Sequence, residues 1–280
     1  MKSFMRRYCK NRGAVAGLLI LVLVALVALF ASVLFDSSPW TMVGDPLITP
    51  FHDPQFWLGT DMLGRDIAAG LAYGARVSLL ISLVSTAVAV VVGVGVGAIA
   101  GYHGGWIDDV LMRITEFFQT IPQLAMAVVL VAIFTPSVYS IVGAIALVSW
   151  PPVARLVRSE FLSLRQREFV QAAIVIGQTP LRIIFTQILP NAMSSIIITA
   201  SLMVATAILT ESALSFLGLG DRNMMSWGFM IGAARTMLRE SPWMSVMPGI
   251  AILLTVLAIN LIGEGLTDAL NPQLRRKGEK

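Results

Sequence analysis

Glu211 is the one carboxylate set inside an otherwise uncharged run of this sequence, from about Asn191 to Leu214. Ionisable side chains at membrane depth line ion paths, relay protons or join helices by hydrogen bonds, because leaving them in hydrocarbon is costly. Counted from Asn191 at about 1.5 Å per residue, Glu211 falls about 30 Å along a helix, near the outer boundary of a bilayer, where a carboxylate is tolerated. The favoured expectation is an interfacial or intersubunit hydrogen-bonding residue. The other is a place at the outer mouth of a substrate path.

The remaining ingredients of chemistry are scattered or missing. His52 and His103 stand in separate connections and Cys9 is the only cysteine, so neither a clustered zinc or nickel site nor an intrachain disulfide is expected. Cys9 beside the basic N-terminus fits a reducing compartment. No G-x-x-x-x-G-K-[ST] phosphate loop occurs, and the dipeptide Gly-Lys is nowhere in the chain, so ATP hydrolysis through that motif is excluded. H-E-x-x-H and the nucleophile elbow G-x-S-x-G are absent too. An enzyme has no support here, and no cofactor is expected on this chain.

What must position Glu211 is a membrane. Of 280 residues, 56% are hydrophobic and 13% charged, with a mean hydropathy of +0.81; soluble domains carry about 25% charged residues. Several uncharged runs exceed the roughly 20 residues that cross a bilayer core. The expected class is all-α, a polytopic membrane protein with six transmembrane helices near 14–35, 77–101, 117–135, 138–156, 191–214 and 242–264. The run Gly13–Phe35 follows Lys2, Arg6, Arg7, Lys10 and Arg12 but outlasts the about 7–15 apolar residues of a signal peptide, so a retained span is expected. Residues 1–76 then form an N-terminal tail, first span and external segment, residues 77–268 a five-span core, and residues 269–280 a tail.

Local signals set further expectations. The second half of 36–76 reads as a helix lying on the membrane surface, anchored by Trp57 and Tyr73. Residues 104–116 read as a short turn, Thr135-Pro136-Ser137 as a break between spans, and Trp150-Pro151-Pro152 as a bend or stop. Ser85, Ala89, Gly93, Gly97 and Gly101 recur every four residues, a small-residue face that lets another helix come close. Packing within the chain is the favoured reading of that face over contact with a partner subunit. The termini, 102–116 and 155–190 hold fifteen Lys/Arg against five in the other connections, which places both termini in the cytoplasm.

The same count puts residues 157–190 on the cytoplasmic side, where Glu168–Asn191 reads as two short helices broken at Gly177, a residue that takes φ > 0 readily. Thr179 is the expected side-chain N-cap and Pro180 the first helical residue. Leu181, Ile184, Phe185 and Ile188 fall on one apolar face, suited to docking on a soluble partner.

These residues carry a resemblance. Gln171-Ala172-Ala173, Gly177 and Leu189-Pro190 resemble the E-A-A-x3-G-x9-I-x-L-P motif of ABC importer permeases, with Gln171 in place of its glutamate and Gln187 in place of its isoleucine. Leu58-Gly59-Thr60-Asp61-Met62-Leu63-Gly64-Arg65-Asp66 is similar to the external signature of the dipeptide/oligopeptide/nickel permeases. So are Leu214–Gly220 followed by Ser226-Trp227-Gly228, and Leu266–Pro272 with Asn271 where aspartate is common.

The resemblance covers nearly the whole chain and implies the ABC importer permease fold, in the second of two unlike permeases in a bacterial cytoplasmic (inner) membrane. It further implies two ATP-binding subunits holding ATP and magnesium, an extracytoplasmic solute-binding protein, the lipid bilayer as surroundings and no nucleic acid. In this family the motif docks on the ATPases, which implies a coupling role for Glu168, Gln171, Ala172, Ala173, Gly177, Leu181, Ile184, Phe185, Ile188, Leu189 and Pro190. Alternating access would move peptides or peptide-like solutes, or alternatively nickel or metallophore complexes. An ion-gradient-driven transporter would instead want paired charges near the midplane of broken helices, and Glu211 stands alone.

Overall fold

The computed structural model describes residues 8–270; the basic residues at 2–7 and the tail from Asn271 onward lie outside them. Among the described residues, five helices are long and apolar enough to cross a bilayer. They are α1 (Arg12–Leu34), α2 (Ile67–His103), α5 (Val138–Arg165), a helix from Pro180 to Leu219, and α10 (Trp243–Leu270), with α3 (Gly105–Thr120) and α4 (Gln123–Phe134) between α2 and α5. The helix from Pro180 comprises α7 (Pro180–Ile183), a π turn at Ile184–Ile188, α8 (Leu189–Leu214) and a second π turn at Ser215–Leu219. Two short helices follow, α6 (Glu168–Val175) before α7 and α9 (Trp227–Ala234) before α10, and a 3-10 turn at Arg235–Met237 succeeds α9.

The most extensive pairing is α2 with α5, and the small-residue face makes it. A Cβ on Gly93 would come within 2.5 Å of the Val153 Cβ, one on Gly97 within 2.4 Å of the Ala154 carbonyl oxygen, and one on Gly101 within 2.6 Å of the Phe161 Cβ. Ala89 continues the contact in a buried cluster with Trp150 and Ala154. Every van der Waals contact between backbones gained this way is available only because side chains are missing. The stripe therefore serves packing within the chain.

Four expectations are corrected. No separate surface helix precedes span two: residues 67–76 are the first turns of α2, started by Asp66, whose Oδ1 accepts the Ala68 N–H at 2.8 Å. Tyr73 lies in that helix with the Arg76 guanidinium 5.2 Å over its ring, and Arg76 reaches the Ala28 and Leu29 carbonyls near the end of α1. Residues 105–120 are a helix, not a turn, and it meets α4 at 85°. The break falls at Ile121-Pro122, where Ile121 is extended (φ −92°, ψ 132°) because a residue before proline is pushed out of the helical region. At about 1.5 Å per residue, the 12 residues of α4 reach about 18 Å, short of the about 30 Å hydrocarbon core, so only the bent pair α3–α4 together has the length of a sixth span.

The third correction concerns Pro151 and Pro152, which lie inside α5 and do not stop it. Each proline removes one donor from the ladder, but Trp150, Pro151, Val153 and Ala154 are buried, and the α2 contact holds the backbone helical through to Arg165. The connection to the next long helix is accordingly shorter than 157–190. Fourth, the second half of the helix-turn-helix is no separate short helix, since Pro180 begins the helix that runs on to Leu219.

Gly97→Leu is expected to force α2 and α5 apart. Overpacking costs about 1–3 kcal/mol in ordinary cores, and here the obstacle is a backbone carbonyl. Thermal unfolding of the detergent-purified protein should show a clearly lowered midpoint; an unchanged midpoint would mean that the two backbones do not touch.

Candidate functional site: the hook at Glu168–Pro190

Residues 166–188 fold into a hook between α5 and α8. Gly177 has φ +76°, and its turn closes by two hydrogen bonds, from the Gly177 N–H to the Ile174 carbonyl (2.9 Å) and from the Gln178 N–H to the Ala173 carbonyl (3.1 Å). This pair of bonds ends α6 in a left-handed cap. A Cβ at 177 would touch nothing within 4 Å, so the requirement for glycine there is conformational rather than steric. Thr179 is extended (φ −68°, ψ 149°), but its side chain makes no capping hydrogen bond, contrary to expectation; Pro180 needs no cap for the N–H it lacks.

The predicted apolar face divides in two. Ile184 and Ile188 are buried, together with Ile183, in a cluster with Val157 and Phe161 of α5 and Val170 and Ala173 of α6. Leu181 and Phe185 stay 69% and 61% exposed. Just C-terminal to this face, the Leu189 N–H bonds to Ile184 five residues back, beside Pro190, which offers no N–H of its own. The buried ridge fixes the hook to the bundle, and the exposed one joins Val175 (85%) and Ile176 (73%) as an apolar surface.

The motif residues fall on both sides of this division. Ala173 is buried, Leu189 half-buried, and Glu168, Ala172, Gly177 and Pro190 are exposed. Gln171 donates its side-chain N–H to the Arg165 carbonyl (2.9 Å) at the end of α5. A glutamate could not make that bond, since an ionised carboxylate only accepts.

A second locus sits at the far end of α8. Glu211 is fully buried, and its Oε1 accepts from the Ser226 hydroxyl (2.7 Å) and the Ser215 hydroxyl (2.9 Å). Oε2 is enclosed with no partner among the described residues. Glycines make the room: a Cβ on Gly228 would come within 2.9 Å of Oε1, and one on Gly232 within 2.6 Å of the Ser215 carbonyl oxygen. The Trp227 N–H donates to the Ser78 hydroxyl (3.1 Å), and its indole N–H to the Leu71 carbonyl (3.0 Å), tying α9 to α2. The segments Leu214–Gly220 and Ser226–Gly228 thus wrap one carboxylate. Glu211 makes its hydrogen bonds to elements of its own chain.

The external signature is a knot beside it. Arg65 pairs with Asp61, whose Oδ1 also accepts the Leu63 and Arg65 N–H groups. The buried Thr60 hydroxyl donates to the Asp45 carbonyl (2.6 Å) and accepts the Ile48 N–H (2.9 Å). Gly59 and Gly64 have φ of +79° and +74°, and a Cβ on either would collide with a carbonyl, of Ile48 or Gly44. The Arg65 guanidinium lies 5.5 Å over Trp40, which meets Phe229 of α9 edge-on. Burial pushes the Asp66 carboxyl above the usual carboxylate range, against the pull of the Ala68 and Ala69 N–H groups. These residues fasten residues 36–66 across the ends of α2, α9 and α10.

A bundle of apolar spans that presents an apolar hook at one end and a knotted segment at the other defines a membrane permease subunit. The chain belongs to the family of binding-protein-dependent transport system inner membrane components, whose model matches residues 93–276, and residues 1–57 match the N-terminal TM domain of oligopeptide transport permease C. It is 42% identical to the dipeptide transport system permease protein DppC of Alkalihalophilus pseudofirmus over 95% of this chain and 88% of that one. It is 38% identical to the oligopeptide transport system permease protein OppC of Escherichia coli K12, over 96% and 90%. Among solved structures, the inward-facing MetNI methionine ABC transporter shares the fold, with a TM-score of 0.57 at 18% identity over 78% of this chain and 100% of that one. This is a multi-pass permease of the dipeptide/oligopeptide ABC importer type.

Glu211→Ala would strand the Ser215 and Ser226 hydroxyls and open a void. Loss of an acceptor from a buried polar pair costs about 1–3 kcal/mol, and the void adds to it. Thermal unfolding should report a loss of about 2–4 kcal/mol, with Glu211→Gln, which keeps one acceptor oxygen in place, much closer to the parent.

Proposed function

We propose that this chain is the second of two unlike permeases in an ATP-driven importer of peptides or peptide-like solutes, working by alternating access. The observation that carries the reading is the exposed apolar ridge on the hook, Val175, Ile176, Leu181 and Phe185, at the turn around Gly177. Such side chains in water invite a partner. The chain has no phosphate loop, so the energy comes from outside it: two ATP-binding subunits, holding ATP and magnesium, receive the hook. The basic residues Arg155, Arg158, Arg165, Arg167 and Arg182 put this end in the cytoplasm together with both termini. The knotted segment on the opposite end then faces a solute-binding protein. The names of the relatives favour peptides as the cargo.

Coupling works only if the ATPases bind the two states of the permease differently. The buried ridge Ile183, Ile184 and Ile188 makes that possible, since a push on the hook bears directly on α5 and on the start of the helix that leads into α8.

The test is uptake by vesicles carrying the permease pair, the ATPases and the binding protein. Peptide uptake should require ATP and cease when the ATPases are omitted; uptake persisting without them would contradict the reading. Gly177→Val should uncouple the assembly, because a β-branched residue at φ +76° is strained by about 1–3 kcal/mol. ATP hydrolysis should continue while uptake per ATP falls; unchanged stoichiometry would sink the hook as the coupling element.

A further inference from the structure

The side of α1 that turns toward α2 has no part in the account so far. An open groove of about 650 Å3 runs there, within the range of about 300–1,000 Å3 found for small-molecule sites. Leu23, Val27 and Leu34 of α1 form one wall and Leu71 and Ala75 of α2 the other, and the buried Trp227 of α9 completes the apolar lining. Polar side chains enter it only from Gln55, Trp57 and Asp66, all outside the span of α1.

The place of the groove along the bilayer is set by α1 itself. This helix has 23 residues and no charge beyond Arg12. Its length of about 35 Å is nearly all needed to cross a hydrocarbon core of about 30 Å. The wall from Leu23 to Leu34 is therefore the half of α1 that ends at Phe35, about 17 Å long, which is the depth of one leaflet. Arg76 reaches the Ala28 and Leu29 carbonyls, and Asp66 stands ten residues before it, about 15 Å nearer the Phe35 end. Trp57 lies 70% exposed beside this polar end, as indoles do at a membrane surface. Apolar through one leaflet and polar at its outer limit, the groove has the pattern of a lipid.

We infer that this groove seats one acyl chain of a phosphatidylethanolamine, whose ammonium group is held by Asp66. The headgroup follows from charge. Asp66 is the one titratable side chain in the lining. Its Oδ1 accepts the Ala68 N–H, and no ion pair within 4 Å among the described residues engages it. Burial already works against the charge on this carboxyl, and an ammonium supplies the missing countercharge. No basic side chain lines the groove; Arg65 is taken by Asp61 and Arg76 by the α1 carbonyls. A carboxylate without a cation beside it repels phosphatidylglycerol. It accepts charge-assisted hydrogen bonds from a primary ammonium, which the methylated head of phosphatidylcholine cannot donate. The Trp57 indole and the Gln55 amide are neutral N–H donors for the phosphate. The rival occupant is an apolar helix of a partner permease, and the test separates the two.

The complete assembly, purified in detergent, is offered equal amounts of dioleoyl phosphatidylethanolamine, phosphatidylcholine and phosphatidylglycerol, and native mass spectrometry counts the lipids retained. The parent should hold one phosphatidylethanolamine more than the Ala72→Leu assembly, since Ala72 also lines the groove and the larger side chain fills it. Asp66→Asn keeps a side-chain acceptor for the Ala68 N–H. It should still retain a lipid at this site but lose a preference for phosphatidylethanolamine over phosphatidylglycerol of about tenfold, the weight of one charge-assisted hydrogen bond. A benzophenone amino acid at Leu34 should crosslink to lipid in membranes. Equal lipid counts in parent and Ala72→Leu overturn the inference, as does a headgroup preference that is absent from the parent or unchanged in Asp66→Asn. A Leu34 crosslink to a partner permease overturns it too. If the Ala72→Leu assembly does not form, the Asp66→Asn preference and the crosslink decide alone.

Discussion

The close approach of two backbones, α2 and α5, is the constraint from which the rest of the bundle follows. A membrane gives helices no hydrophobic reason to pair, so contact has to come from shape. Gly93, Gly97 and Gly101 supply it by leaving room for the Trp150–Phe161 stretch of α5. That contact carries α5 through Pro151 and Pro152 as a helix. It places Arg158 where it can hold Asp108 of α3, and Val157 and Phe161 where they seat the hook. Without the glycine ladder the hook would have no fixed wall to seat on.

Glu211 is the polar counterpart at the other end. Its oxygen collects hydroxyls from the π turn and from the start of α9, and Trp227 carries the connection on to α2. A single buried acceptor thereby fixes three chain segments where an all-apolar contact would leave their register loose. The signature Gly59–Asp66 does similar work by local means, through an ion pair and left-handed glycines.

Much of this was legible in residue types. The four-residue spacing from Ser85 to Gly101 announced a close helix contact, and Gly177 before Thr-Pro announced the turn. Five features were not legible, most of them because tertiary packing outweighs a local signal. Pro151-Pro152 looks like a stop until α2 is known to lie against it. Ile121-Pro122 is a second break, hidden within a long apolar run, in addition to the one at Thr135–Ser137 that the sequence did show. Thr179 has the right type and position for a cap, but its side chain makes no capping hydrogen bond. The face Leu181–Ile188 reads as one stripe in sequence and is shared between core and surface. The enclosure of Glu211 depends on serines and glycines from segments distant in sequence, which no local pattern reveals.

The helix from Pro180 to Leu219 has 40 residues, about 60 Å at 1.5 Å each, roughly twice the hydrocarbon thickness. It starts in the hook and finishes beside Glu211, with a π turn near each end. The surplus length reaches into the hook at one end and into the serine enclosure of Glu211 at the other, so a single rod joins the two sites.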